Sequence, residues 1–112
     1  MAKELSKKVL SIFERIKQTD ENDNEFWMAR QLAKALEYSD FRNFTSVIEK
    51  AKEACKNSGQ RAEEHLVEAN EEINHGKGAV NSYPSYILSR YACYLIVQNA
   101  DPSTFVKSRY KS

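Results

Sequence analysis

The chain has 112 residues, of which 41% are hydrophobic and 29% charged, with a formal net charge of +1. That is an ordinary globular composition, enough for one domain with a modest core. Near-neutrality excludes a strongly basic protein that coats nucleic acid, so any surface for a polyanion must come from local segregation of charge.

Residues 3–18 predict an amphipathic helix. Leu5, Val9, Ile12, Phe13 and Ile16 recur at three- and four-residue spacing, while Lys7, Lys8, Glu14, Arg15 and Lys17 take the other face. Residues 19–24 are turn-forming and acidic and predict a loop. Glu25–Met28 is a short aromatic strand candidate. Ala29–Leu36 predicts a second helix that ends at Glu37-Tyr38. Ser39 is placed to cap a third helix, with Asp40 in its first turn. Phe41, Phe44, Ile48, Ala51 and Cys55 form the apolar stripe of that helix, which stops at Asn57-Ser58-Gly59.

Residues 61–75 leave two readings open. Ala62, Leu66, Ala69 and Ile73 have helical spacing and lie among five glutamates, which favour a helix. Asn70 and Asn74 weaken that helix, and Val80–Leu88 is strand-like, so an extended arm turning near His75-Gly76-Lys77-Gly78 is the alternative. Pro84 then belongs on an edge or at a bulge. Ser89 predicts the N-cap of a last helix over about 90–99, stopped by Asp101-Pro102. Residues 103–112 form a polar, basic tail.

The chemistry-bearing residues are few. Cys55 and Cys93 are far apart and have no metal-ligand spacing, so two buried thiols are expected. His65 and His75 lack partners at a recognisable spacing, and Gly76-Lys77-Gly78 is too short for a phosphate loop. No catalytic residue, metal, cofactor or small-molecule substrate is expected. No window reaches the roughly 18 apolar residues of a membrane span, and Met1–Leu5 opens without a signal-peptide core. The expected location is the cytoplasm.

Nucleic-acid recognition is the better candidate. The second and third helices, joined by Glu37-Tyr38-Ser39, have the outline of a helix-turn-helix. Opposite the apolar stripe of the third helix lie Arg42, Asn43, Ser46 and Lys50. Arg and Asn are the types that read guanine and adenine edges. Arg30, Lys34, Lys52 and Lys56 are candidate phosphate contacts. Glu49 and Glu53 share the face and oppose a phosphate backbone. Arg90 is a cation at the unfavourable end of a helix dipole, which calls for an acidic partner: an internal carboxylate or a phosphate.

Four stretches carry a resemblance. They are Phe26-Trp27-Met28-Ala29-Arg30-Gln31-Leu32, Tyr38-Ser39-Asp40-Phe41-Arg42-Asn43-Phe44, residues 52–59 (Lys-Glu-Ala-Cys-Lys-Asn-Ser-Gly) and Leu88–Asn99. Together they resemble the bacterial DNA-damage-inducible protein D family, whose members carry an N-terminal domain like the BRO-N domain of viral and phage antirepressors. The family's glycine before Tyr-Ser is Glu37 here, which sets the expectation of a different turn. The family continues into a further C-terminal region, whose functions do not transfer.

The resemblance implies an arm from about His65 pairing with Val80–Leu88. The expected fold is therefore α+β: a helix-rich single domain over 1–102, with a small antiparallel sheet and a helix-turn-helix-like pair. The implied function is DNA binding in the SOS response or in phage-type transcriptional regulation. Arg30, Lys34, Arg42, Asn43, Ser46, Lys50 and Arg90 are the candidate contacts. The alternative is a protein-interaction module, a homodimer or an adaptor on a DNA-repair protein, without direct DNA contact.

Overall fold

The computed structural model describes residues 7–100. The elements in chain order are α1 (Lys7–Ile16), β1 (Gln18–Thr19), β2 (Glu25–Met28), α2 (Ala29–Ala35), α3 (Phe41–Asn57), α4 (Ala62–His65), β3 (Leu66–Asn74), β4 (Val80–Leu88) and α5 (Arg90–Asn99). The strands form one antiparallel sheet in the order β1-β2-β4-β3. The fold is α+β, as expected. The tail expected over 103–112 and the first residues of the predicted N-terminal helix lie outside the described residues.

The core lies between one face of the sheet and the helices. Trp27 pairs with Leu88, and Leu88 with Leu66, so the three side chains share a face. All three are buried against a cluster that includes Leu32, Phe44, Ile48, Cys55, Cys93 and Ile96. Both cysteines are free and buried, as expected. Burying each large apolar side chain contributes about 1.5–3 kcal/mol. Trp27 is fully buried, and its indole N–H donates to the Phe13 carbonyl at 2.9 Å, so the end of α1 is tied to β2.

Residues 61–75 divide between the two readings. Ala62–His65 makes a single helical turn, and Leu66–Asn74 is a strand paired residue for residue with β4. Pairing with a β-rich return arm overrides helical spacing, because strand preference is set by cross-strand contacts. Gly76, Lys77 and Gly78 all have positive φ, at 85°, 54° and 79°. That run suits a turn flanked by glycines and no helix. It is closed by His75 N–H to the Ala79 carbonyl at 2.8 Å.

The register is uninterrupted from Leu66↔Leu88 to Asn74↔Val80, so there is no bulge at Pro84. The Pro84 carbonyl accepts from Arg30 Nε at 2.7 Å, on the side away from β3. In an antiparallel ladder a residue's N and C=O point the same way. The missing N–H of Pro84 therefore faces the part of β4 that β2 does not cover, and no ladder bond is lost.

Several predicted boundaries move. Helix α1 ends at Ile16, so Gln18 lies in β1 rather than in the helix and Thr19 in β1 rather than in a loop. Helix α2 ends at Ala35. The cap of α3 is Asp40, not Ser39: the Asp40 carboxylate accepts from the Arg42 N–H at 2.9 Å. A carboxylate at this position also opposes the positive helix terminus, which favours it over the preceding hydroxyl.

Helices α2 and α3 end in the same motif. Tyr38 N–H reaches the Ala33 carbonyl and Glu37 N–H that of Lys34; Gln60 and Gly59 repeat the pattern on Cys55 and Lys56. The left-handed residue is Gly59 (φ 88°) in α3 and Glu37 (φ 69°) after α2. The turn at Glu37 therefore holds a conformation that glycine adopts without strain. Gly59→Ala is expected to lower stability by about 1 kcal/mol, read from the urea denaturation midpoint.

Helix α5 starts at Ser89, whose hydroxyl accepts from the Ala92 N–H at 3.0 Å, as predicted, and also hydrogen-bonds His65 Nδ1 at 2.7 Å. Arg90 reaches back to β2, donating to both Glu25 oxygens at 2.6 and 2.9 Å, with Glu14 at 3.6 Å. The hydrogen bond from Arg90 holds the Glu25 carboxyl below its ordinary value of 4.5. A carboxyl depressed in the folded state stabilises the fold above its unfolded value and loses that contribution as pH falls through the folded value. Glu25→Gln is expected to be less stable than the unsubstituted protein at neutral pH. The difference should shrink in acid below 4.5, as read from urea midpoints at the two conditions.

Candidate nucleic-acid interface

Helix α3 presents two unlike faces. Phe44, Val47, Ile48, Ala51 and Cys55 are buried. Arg42, Asn43, Ser46 and Lys50 are all exposed on the other side, with Glu49 and Glu53 beside them. The period that buries the apolar set turns the polar set outward. Arg42 is 90% exposed at its side chain and bridges to Asp40 at 3.0 Å. The Arg42 hydrogen bond to Asp40 raises the guanidinium's pKa and lowers that of Asp40. Ser46 Oγ donates to the Asn43 carbonyl at 3.0 Å, one helical turn back.

Arg30 plays a part that sequence spacing does not show. It lies in the first turn of α2, whose N-cap position is Met28, a residue with no side-chain acceptor. Its backbone N–H is taken instead by the hairpin: Glu71 Oε1 at 3.2 Å and Ser85 Oγ at 3.3 Å. Glu71 is buried and accepts from Ser85 Oγ at 2.8 Å. The Arg30 guanidinium, besides donating to Pro84, stands 4.1 Å from the centroid of Phe41 and 5.2 Å from that of Tyr83. Arg30 thus joins α2, the start of α3 and the hairpin. Lys34 is exposed on α2.

Between the first half of α3 and the hairpin runs a groove of about 560 Å³, lined by Phe41, Thr45, Glu68, Asn70, Pro84 and Tyr86. Lys52, which lines a neighbouring depression, donates to Tyr86 Oη at 2.9 Å and to Glu49 at 3.2 Å. Partial burial works against the Lys52 charge, but those two hydrogen bonds hold its pKa above the usual lysine value. Lys56 is exposed and lines the same depression with Glu63 and Glu68.

The structure therefore brings Arg42, Asn43, Ser46 and Lys50 together on one stripe, with Arg30 behind the first turn of that stripe. Arg90 lies elsewhere, on α5, and its acidic partner is internal: Glu25, with Glu14 close by. Sequence reasoning missed Glu71 and Ser85, which cap α2 across the chain. The signal available was an unfilled N-cap at Met28. Among the described residues no group of three or more His, Cys, Asp or Glu converges as a metal site, and no helix is long and apolar enough to cross a membrane.

These features can be set beside known proteins. A model of the BRO family N-terminal domain matches residues 15–110. The chain is also similar to DNA damage-inducible protein D of Escherichia coli (strain K12). They are 47% identical over 91 residues, covering 81% of this chain and 33% of that protein. The chain thus spans about a third of that relative's length. No solved structure matches it. The match extends over α2, α3, the hairpin and α5, the elements that build the stripe and the Arg30 junction, and the chain belongs to the BRO family as its N-terminal domain.

Proposed function

We propose that this domain binds DNA through the exposed stripe of α3, and that it serves the bacterial response to DNA damage or a phage-type transcriptional control. It acts by binding, in the cytoplasm, and carries out no catalytic step. The observation that carries this reading is the single outward row of Arg42, Asn43, Ser46 and Lys50 in a chain of the BRO family. Helix α3 then serves as the recognition helix of a helix-turn-helix-like pair. Arg42 and Asn43 would meet base edges, while Lys50 and Lys34 would meet phosphates.

The ion pairs sort the candidates. The Arg42–Asp40 bridge is exposed, and exposed bridges are weak, so DNA competes with it for the guanidinium. Arg90 is held by two carboxylates and is the weakest candidate contact. Arg30 is spent on Pro84, Phe41 and Tyr83, so its role is to position α3 against the hairpin. A second reading, an adaptor or homodimer on repair machinery, draws support from the carboxylates around the stripe: Glu49, Glu53 and Glu68.

Fluorescence anisotropy with duplex and single-stranded oligonucleotides across a salt series tests the proposal. Arg42→Ala with Lys50→Ala is expected to weaken binding about tenfold or more and to reduce the salt slope by about one, the phosphate contact of Lys50. No binding at low salt, or an affinity untouched by the double substitution, counts against it and favours the adaptor.

A further inference from the structure

Strand β3 is the outer strand of the sheet, and its far edge carries no other strand among the described residues. The ladder shows which backbone groups point outward. His65 and His75 both make bonds toward β4, His65 through its carbonyl to Ser89 N–H at 3.0 Å and His75 through its N–H to Ala79 at 2.8 Å. Alternation then directs the odd residues of β3 inward and the even ones outward. Pro84, opposite Asn70, fits this phase, because its carbonyl turns away from β3. The outward N–H and C=O groups are therefore those of Glu68, Asn70 and Glu72, with Leu66 and Asn74 at the ends.

Most long edges are blunted by proline, a bulge or charge. This one has nine residues, no proline and no bulge, and only its glutamates guard it. The two sides of the strand differ. Glu68, Asn70 and Glu72 are exposed on one face. On the other, Val67 is 42% exposed, Ala69 and Ile73 are half-buried, and Glu71 is withdrawn under Ser85 and α2.

We infer that this edge takes up an extended segment of a partner protein whose residues alternate between apolar and basic. The partner's apolar side chains would continue the row of Val67, Ala69 and Ile73. Its Lys or Arg side chains would stand beside Glu68 and Glu72, and its backbone would complete the ladder. A second copy of this chain is the poorer occupant. Antiparallel pairing about Asn70 sets Glu68 of each copy against Glu72 of the other, and directly opposed like charges are unfavourable. The same glutamates that reject a copy thus select a basic strand. This inference does not rest on the stripe of α3, and DNA binding can fail without affecting it.

Amide exchange followed by NMR on the whole chain is the test, with a peptide of about eight residues alternating valine and lysine. The peptide should slow exchange at Glu68, Asn70 and Glu72. Ala69, Glu71 and Ile73, already bonded to β4, should change little. A peptide of the same composition in scrambled order, or one alternating valine and glutamate, should not protect these amides. Glu68→Lys with Glu72→Lys should weaken binding about tenfold. Asn70→Pro, which removes one outward donor and no ladder bond, should also weaken it; if that variant misfolds, the charge reversal decides alone. Absence of protection, equal capture of the acidic or scrambled peptide, affinity indifferent to charge reversal, or self-association of the domain along this edge would each overturn the inference.

Discussion

Arg30 sits where the first turn of α2, the first residue of α3 and the outer half of the hairpin meet, and it joins all three. Its N–H goes to Glu71 and Ser85, its Nε to the Pro84 carbonyl, and its guanidinium plane to Phe41 and Tyr83. Each cation–π contact contributes about 0.5–1 kcal/mol at an exposed site. Their larger effect is geometric. A two-stranded arm is marginal on its own, and this one gains support where β2 ends and the edge of β4 is open. Helix α2 replaces the missing strand, and Arg30 fills the acceptor that Pro84 leaves there.

Charge follows a consistent pattern. A molecule with a net charge of +1 cannot offer a broad cationic field. Arg90 is matched with Glu25 and Glu14, Lys52 with Glu49 and Tyr86, and Arg61 with Glu63 and Glu64. What distinguishes the α3 stripe is exposure. The Arg42–Asp40 pair stands in solvent, where it is weak and exchangeable, while Asn43 and Lys50 project from the same side. The glutamates of β3, Glu68 and Glu72, are exposed as well, and Glu68 lines the groove beside α3.

Much of this was legible in the chain. The stripe of α3 follows from spacing, because the period that buries Phe44, Ile48, Ala51 and Cys55 leaves Arg42, Asn43, Ser46 and Lys50 outside. Ser89 was readable as a cap, since capping is local chemistry. Residues 61–75 were not decidable by period: Ala62, Leu66, Ala69 and Ile73 suit a helix, and only pairing with residues 80–88 makes most of the segment a strand. The role of Arg30 was hidden for the same reason, as its hydrogen-bond partners on the hairpin lie 41 to 55 residues away. Arg90 could be read as needing an acid, but not as needing Glu25, which is 65 residues distant.

The junction at Arg30 is most directly tested by a double-mutant cycle of Arg30→Ala and Tyr83→Leu, with stability measured by urea denaturation. A guanidinium that fastens the hairpin to α2 and α3 gives a coupling of about 0.5–1 kcal/mol between the two sites. Additivity to within about 0.3 kcal/mol would mean that Arg30 and Tyr83 act independently, and the hairpin would then owe its placement to something else.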